Sequence, residues 1–178
     1  CAVGQSGVVT CFGANTSDQI GDGTPIDNAT TVFAGAAFSC ALAADRALYC
    51  WGANQFGQLA VGGDIIRATP VLVPGLAHAG VLAAGGAHNC ATADDPSGGR
   101  ALYCWGANGG GQVGNGSSAD ASVVARISSL QPDAIVAGRA HTCAFAPDRR
   151  LRCWGSGAAG QLGQEPGMDG VITVPTVT

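Results

Sequence analysis

Apolar positions in this chain come in short runs. In its last third they fall at Ala134–Ala137, His141–Phe145, 151–154 and Val171–Val177, with the Gly-rich stretch 155–163 before the last. Val, Ile, Thr and aromatic residues crowd such runs while Gly, Pro and Asp separate them, which is the chemistry of strands. No segment sustains a helical apolar period over ~11 residues, so an all-β chain is expected.

The pattern comes round four times. CFGANTSDQI (11–20), CWGANQFGQL (50–59), CWGANGGGQV (104–113) and CWGSGAAGQL (153–162) align without gaps, at intervals of 39, 54 and 49 residues. One copy reads as inner strand, AG turn, Cys strand, polar turn, Cys-aromatic strand, Gly-rich loop and outer strand. Four short strands in about 50 residues make a propeller blade. The repeats run approximately 1–34, 35–83, 84–136 and 137–178, in one domain spanning 1–178. The first is partial. No inner strand precedes Cys1, and 21–35 lacks the outer strand that 70–73 and 122–127 supply in later copies. The expected architecture is a propeller-like arc of three complete repeats and a remnant, part of a longer chain or of an assembly.

Each copy holds a second Cys, giving spacings of 10, 10, 14 and 10. An even spacing in an antiparallel hairpin centres the turn on one residue, here Ser6, Asp45, Ser97 and Asp148, so both thiols reach the same sheet face. The third hairpin gains four residues without changing parity. Cys1 therefore pairs with Cys11, Cys40 with Cys50, Cys90 with Cys104, and Cys143 with Cys153. One disulfide per repeat implies an oxidising compartment, hence a secreted or extracellular chain, at the cell surface or in the periplasm. Lipid on Cys1 would forbid the first bond; the ten-residue spacing favours the disulfide.

Trp51, Trp105 and Trp154, with Phe12 in the first copy, are expected to wedge between neighbouring sheets. Gln19, Gln58, Gln112 and Gln161 are expected to bond loop backbone inside those joints. His88 and His141 occupy equivalent positions and read as structural, and His78, outside the repeat, as exposed. An open arc leaves strand edges and Trp-lined joints to be covered.

Composition narrows function more than fold. Of 178 residues 29 are Gly, Lys is absent, and 12 acids against 8 bases give a net charge of −4, which argues against nucleic acid as a partner. The longest uncharged run, 68–93, is broken by Pro and Gly and does not read as a membrane span.

The segments AGRAHTCAFAPDRRLRCWGSGAAGQLG, AGGAHNCA with ALYCWGANGGGQVG, and AGAAFSCALAADRALYCWGANQFGQL resemble the regulator-of-chromosome-condensation repeat family, and the paired cysteines look like a secreted bacterial variant. The resemblance implies a propeller whose usual ring has seven blades. Similar secreted bacterial proteins inhibit β-lactamases. Chromatin binding and nucleotide exchange belong to one eukaryotic branch and do not transfer.

Catalytic and metal chemistry find little support. Zinc knuckles use C-x2-C rather than these spacings, and Phe38 stands where His88 and His141 stand in other copies. A P-loop needs Lys, and G-x-S-x-G is absent. GDGT (21–24) and NGSSAD (115–120) read as solvated turns rather than calcium loops. Asp45, Asp94 and Asp148 read as hairpin-turn residues, Glu165 is the only Glu, and Arg149, Arg150 and Arg152 read as solubilising a turn. The expected function is a non-enzymatic extracellular module, without cofactor or metal, that binds protein through rim loops. A self-associating structural subunit is the alternative, and a secreted hydrolase ranks below both.

Overall fold

The computed structural model describes residues 1–63, 65–128, 130–163 and 171–177. A two-stranded hairpin, β1 (Ala2–Val3) and β2 (Val9–Thr10), precedes three four-stranded antiparallel sheets. The first sheet is β3 (Ala29–Ala34), β4 (Phe38–Ala43), β5 (Leu48–Ala53) and β6 (Ile66–Leu72). The second is β7 (Leu82–Ala84), β8 (His88–Asp94), β9 (Arg100–Gly106) and β10 (Ala121–Ser128). The third is β11 (Ala134–Ala137), β12 (His141–Phe145), β13 (Leu151–Ser156) and β14 (Val171–Val177). Strands neighbour one another in chain order, the meander of a propeller blade. Each blade starts at the strand before its AG turn, several residues ahead of the repeat boundaries drawn from the sequence.

Register follows from the cysteines. Cys40 faces Cys50, Cys90 faces Cys104 and Cys143 faces Cys153 across their hairpins, and four disulfides close, including Cys1–Cys11. Two tips share one design: Ala43 and Ala146 donate to the carbonyls of Ala47 and Arg150, with Arg46 and Arg149 at φ +67° and +62°. The first hairpin closes likewise from Gly4 to Val8, with Gly7 at the left-handed position. This is the three-residue loop with a left-handed third position that suits twisted hairpins. In the third hairpin the four extra residues lengthen both strands, so Asp94 pairs with Arg100 as a strand end. Asp95 takes the turn role expected of Asp94, accepting from the Ser97 amide at 2.9 Å.

The core lies between blades. Cys40, Cys50 and Leu48 share a cluster with Trp105 of the next blade, and Cys90, Cys104 and Leu102 share one with Trp154. Trp51 packs in the same way with Val3, Val9 and Cys11. Each Trp thus lies over the disulfide of the preceding blade, and all three are buried. This corrects the expectation of exposed Trp-lined joints. Phe12, which holds the Trp position in the first hairpin, is by contrast 75% accessible.

Glycine at two repeated positions allows this packing. Gly106 faces His88 across the hairpin with φ +104°, and a Cβ there would lie 2.5 Å from the Ala87 carbonyl oxygen. Gly85 lies under the His88 ring, whose Cε1 would be 2.1 Å from a Cβ. Gly35 under Phe38 and Gly138 under His141 repeat that stacking. Main-chain bonds link the AG turns of successive blades, Ala36 to Gly86 at 3.0 Å and Gly86 to Gly138 at 3.2 Å.

Candidate interaction surface

Each joint closes on one carbonyl. Trp51 Nε1 and Ser39 Oγ both donate to the Gln19 carbonyl, at 3.0 and 2.8 Å. Trp105 Nε1 and Asn89 Nδ2 do the same to Gln58, and Trp154 Nε1 and Thr142 Oγ1 to Gln112. The two donors are cross-strand partners in every blade. The Gln side chains turn inward on their own loops: Oε1 of Gln19, Gln58, Gln112 and Gln161 accepts from the amide two residues earlier. Among the described residues no side chain donates to the Gln161 carbonyl.

Asn15, Asn54 and Asn108, not singled out in the sequence, organise the same loops. Their Oδ1 atoms accept from the amides of Ile20, Leu59 and Val113, and Asn108 Nδ2 also spans to Asn115, Ser117 and Ala119. The third residue of each GAN triplet carried this signal. A buried amide side chain replaces main-chain partners that an irregular loop lacks.

His88 Nε2 lies 2.8 Å from Thr142 Oγ1, both fully buried, while Nδ1 has no hydrogen-bond partner among the described residues. Since Thr142 donates to Gln112, the ring is the neutral Nε2–H tautomer. Burial, reinforced by the nearby His141, lowers its pKa from 6.5 to about 4. A His beside a hydroxyl invites a nucleophile reading, but among the described residues no carboxylate orients Nδ1, and the Thr142 oxygen is buried, so the pair serves the joint.

The chain alternates direction, so each blade's hairpin tip and its link to the next blade lie on one face of the arc, opposite the AG turns and GAN loops. The tips carry ion pairs. Arg100 and His78 both contact Asp94, Arg126 pairs with Asp95, and Arg152 grips Asp148 through two bonds. Hydrogen bonds from Ser97, aided by Arg126, hold Asp95 down at about 2. Arg152, aided by the Arg150 amide, holds Asp148 at about 2, and His78 lowers Asp94. Of the three basic residues at 149–152, Arg152 is committed to this pair while Arg149 and Arg150 stay exposed at the tip.

No group of His, Cys, Asp or Glu among the described residues could hold a metal ion. The oxygens of GDGT and NGSSAD are engaged within the fold: Asp22 by Thr24 and Thr69, Asn115 by Asn108 and Ser117, and Asp120 by the Asn108 amide. Glu165 lies outside the described residues. Among the described residues no helix is long and apolar enough to cross a membrane.

These features define a class: an all-β arc of propeller blades, each stapled by one disulfide and joined to the last by a Trp. Models of the regulator of chromosome condensation (RCC1) repeat match residues 29–58 and 133–161, and residues 46–92. Together they cover more than half of the chain, which belongs to the RCC1 repeat family. Among solved structures, yeast RCC1 (Prp20) bound to Kap60 aligns over 96% of this chain and 44% of its own, at 21% identity and a TM-score of 0.81. Human WBSCR16 aligns over 93% and 46%, at 18% identity and 0.77. The ectodomain of the Physcomitrella patens receptor kinase CR4 aligns over 93% and 41%, at 21% identity and 0.62. The chain spans less than half the length of each. No curated protein sequence matches it.

Proposed function

We propose that this chain is a non-enzymatic, extracellular interaction module that binds a protein partner through its hairpin-tip rim. One observation carries the reading. Arg46 and Arg149 occupy the left-handed position that Gly7 fills in the first hairpin. A left-handed L-residue costs roughly 1 kcal/mol relative to Gly. Keeping a basic side chain there at that cost points to use of the side chain rather than of the fold.

Other observations support the reading. Each hairpin is cross-linked by a disulfide below its tip, which restrains the two strands that carry the rim and lowers the ordering cost of binding. Four disulfides suit an extracellular setting, and the CR4 neighbour is an ectodomain. Prp20 was solved bound to a protein, Kap60. A secreted bacterial origin, inferred from the cysteine pairs, belongs to this proposal. The test is capture from the native extracellular fraction by the full-length protein and by an Arg46→Gly, Arg149→Gly variant. The proposal expects a partner retained by the first and lost by the second; a partner held equally by both would reject the rim.

End-to-end assembly is the second reading. A joint between two copies would set Phe12 against the Gln161 carbonyl, where every joint in the chain has an indole N–H. Phe has no donor, so such a joint lacks half its clamp. A stable oligomer in analytical ultracentrifugation would restore this reading.

A further inference from the structure

The first hairpin differs from the others in a way that does not involve the rim. Its second strand, β2, corresponds to β5, β9 and β13, each of which carries an outer strand on its far side. After Cys11 the chain passes instead through 12–28 into β3, and β2 pairs only with β1. Hydrogen-bonded and non-bonded pairs alternate along an antiparallel ladder. Since Gly4 bonds Val8, the N–H and C=O of Val9 and Cys11 point away from β1. No described residue bonds them.

The blade formed by β3–β6 shows what fills such an edge. Cys50, the counterpart of Cys11, faces Val71, and the carbonyl of Leu48, the counterpart of Val9, accepts from the Val73 amide at 2.8 Å. Beside the open edge lies a cavity of about 230 Å³, walled by Val9, Cys11, Ile20, Ile26 and Trp51. Val8 also lines it and is exposed. Asp22 and Asp27 reach its wall, and no basic residue does. Hydrogen bonds from Thr24 and Thr69 keep Asp22 ionised down to about pH 2.

We propose that β2 is a docking edge for an extended segment of a partner protein, which adds as a third strand and seats a branched apolar side chain in the adjacent cavity. Main-chain bonds to Val9 and Cys11 give the affinity, and the cavity selects the side chain, as in other strand-addition sites. The carboxylates favour a segment that also carries Arg or Lys. A strand of this kind exists in the molecule: β6 and the residue after it, IRATPVLV at 66–73, combine both traits.

The test uses the full-length protein and a fluorescein-labelled peptide of residues 66–73, followed by anisotropy and by amide shifts in NMR. Saturable binding is expected, on the order of 10–100 μM, with shifts centred on Val9 and Cys11. N-methylation of the peptide at the residues matching Val71 and Val73 should weaken it about tenfold or more, because two strand bonds are lost. Val9→Pro should do the same, since it removes an outward N–H and leaves the ladder to β1 intact. The N-methylated peptide carries the test should that variant misfold. Equal binding of both peptides, or shifts mapping to the hairpin-tip rim, would overturn the proposal. So would a dimer abolished by Val9→Pro, which would assign the edge to a second copy. Absence of binding at about 1 mM with β2 amides already protected from exchange would assign it to another part of the same protein, and would overturn the proposal equally.

Discussion

Thr142 and Trp154 face each other across β12 and β13, and both donate to one acceptor in the preceding blade, the carbonyl of Gln112, at 2.9 Å each. The disulfide of a blade fixes the register that sets this pair side by side. The same register brings the Trp ring down on the previous disulfide, so covalent staple, apolar core and polar clamp converge at each joint.

Trp154→Phe keeps most of the ring and removes the N–H. The Gln112 carbonyl then keeps only Thr142, and the loss should be about 1–3 kcal/mol in chemical denaturation. Thr142→Val should cost more, because it also leaves the buried His88 Nε2–H without its acceptor. The double variant should depart from additivity, because both changes act on one acceptor. Strict additivity would mean that the two donors do not share it.

His88 predicts acid sensitivity. The folded chain keeps it neutral with a pKa of about 4, while the unfolded chain takes up a proton near 6.5. Stability is therefore complete above about pH 6.5 and falls as the pH drops towards 4, by roughly 3 kcal/mol. Asp95 and Asp148, held at about 2 against 3.8, lose their contribution only below that window. His88→Phe places in this blade the residue that Phe38 supplies in another. Its stability should be flat from pH 6.5 to 4 in denaturation curves taken across the range.

Gly106→Ala should cost about 2 kcal/mol or more, since the backbone is left-handed and the new Cβ meets the Ala87 carbonyl. Gly109→Ala, where a Cβ meets open space, should stay within about 0.5 kcal/mol. Thermal melts of the two variants make the comparison.

Arg149→Gly should raise stability by up to about 1 kcal/mol by relieving the left-handed tip. A stabilised protein that no longer captures its partner would tie the strain at this tip to binding.

Much of the fold was legible because parity is a strict constraint. Even Cys spacings fix turn centres, and the structure places them at Ser6, Asp45, Ser97 and Asp148. The missing outer strand of the first copy was also readable, from a shortened interval. The joint clamp was only half readable. Trp recurs by identity, but its partner position holds Ser39, Asn89 or Thr142, which share a donor and no sequence letter. Asp94 was misplaced because the four inserted residues extend the strands before they widen the turn. The cavity beside β2 left no trace in the sequence, since residues from four separated stretches meet there only after folding.

The central claim is that each hairpin is closed by its own disulfide, and non-reducing peptide mapping of the native protein tests it most directly. All 8 cysteines should resist alkylation before reduction, and every cross-linked peptide should join the two strands of one hairpin, including Cys90 with Cys104. Free thiols, or sulfur bridges between different copies of the repeat, would contradict it.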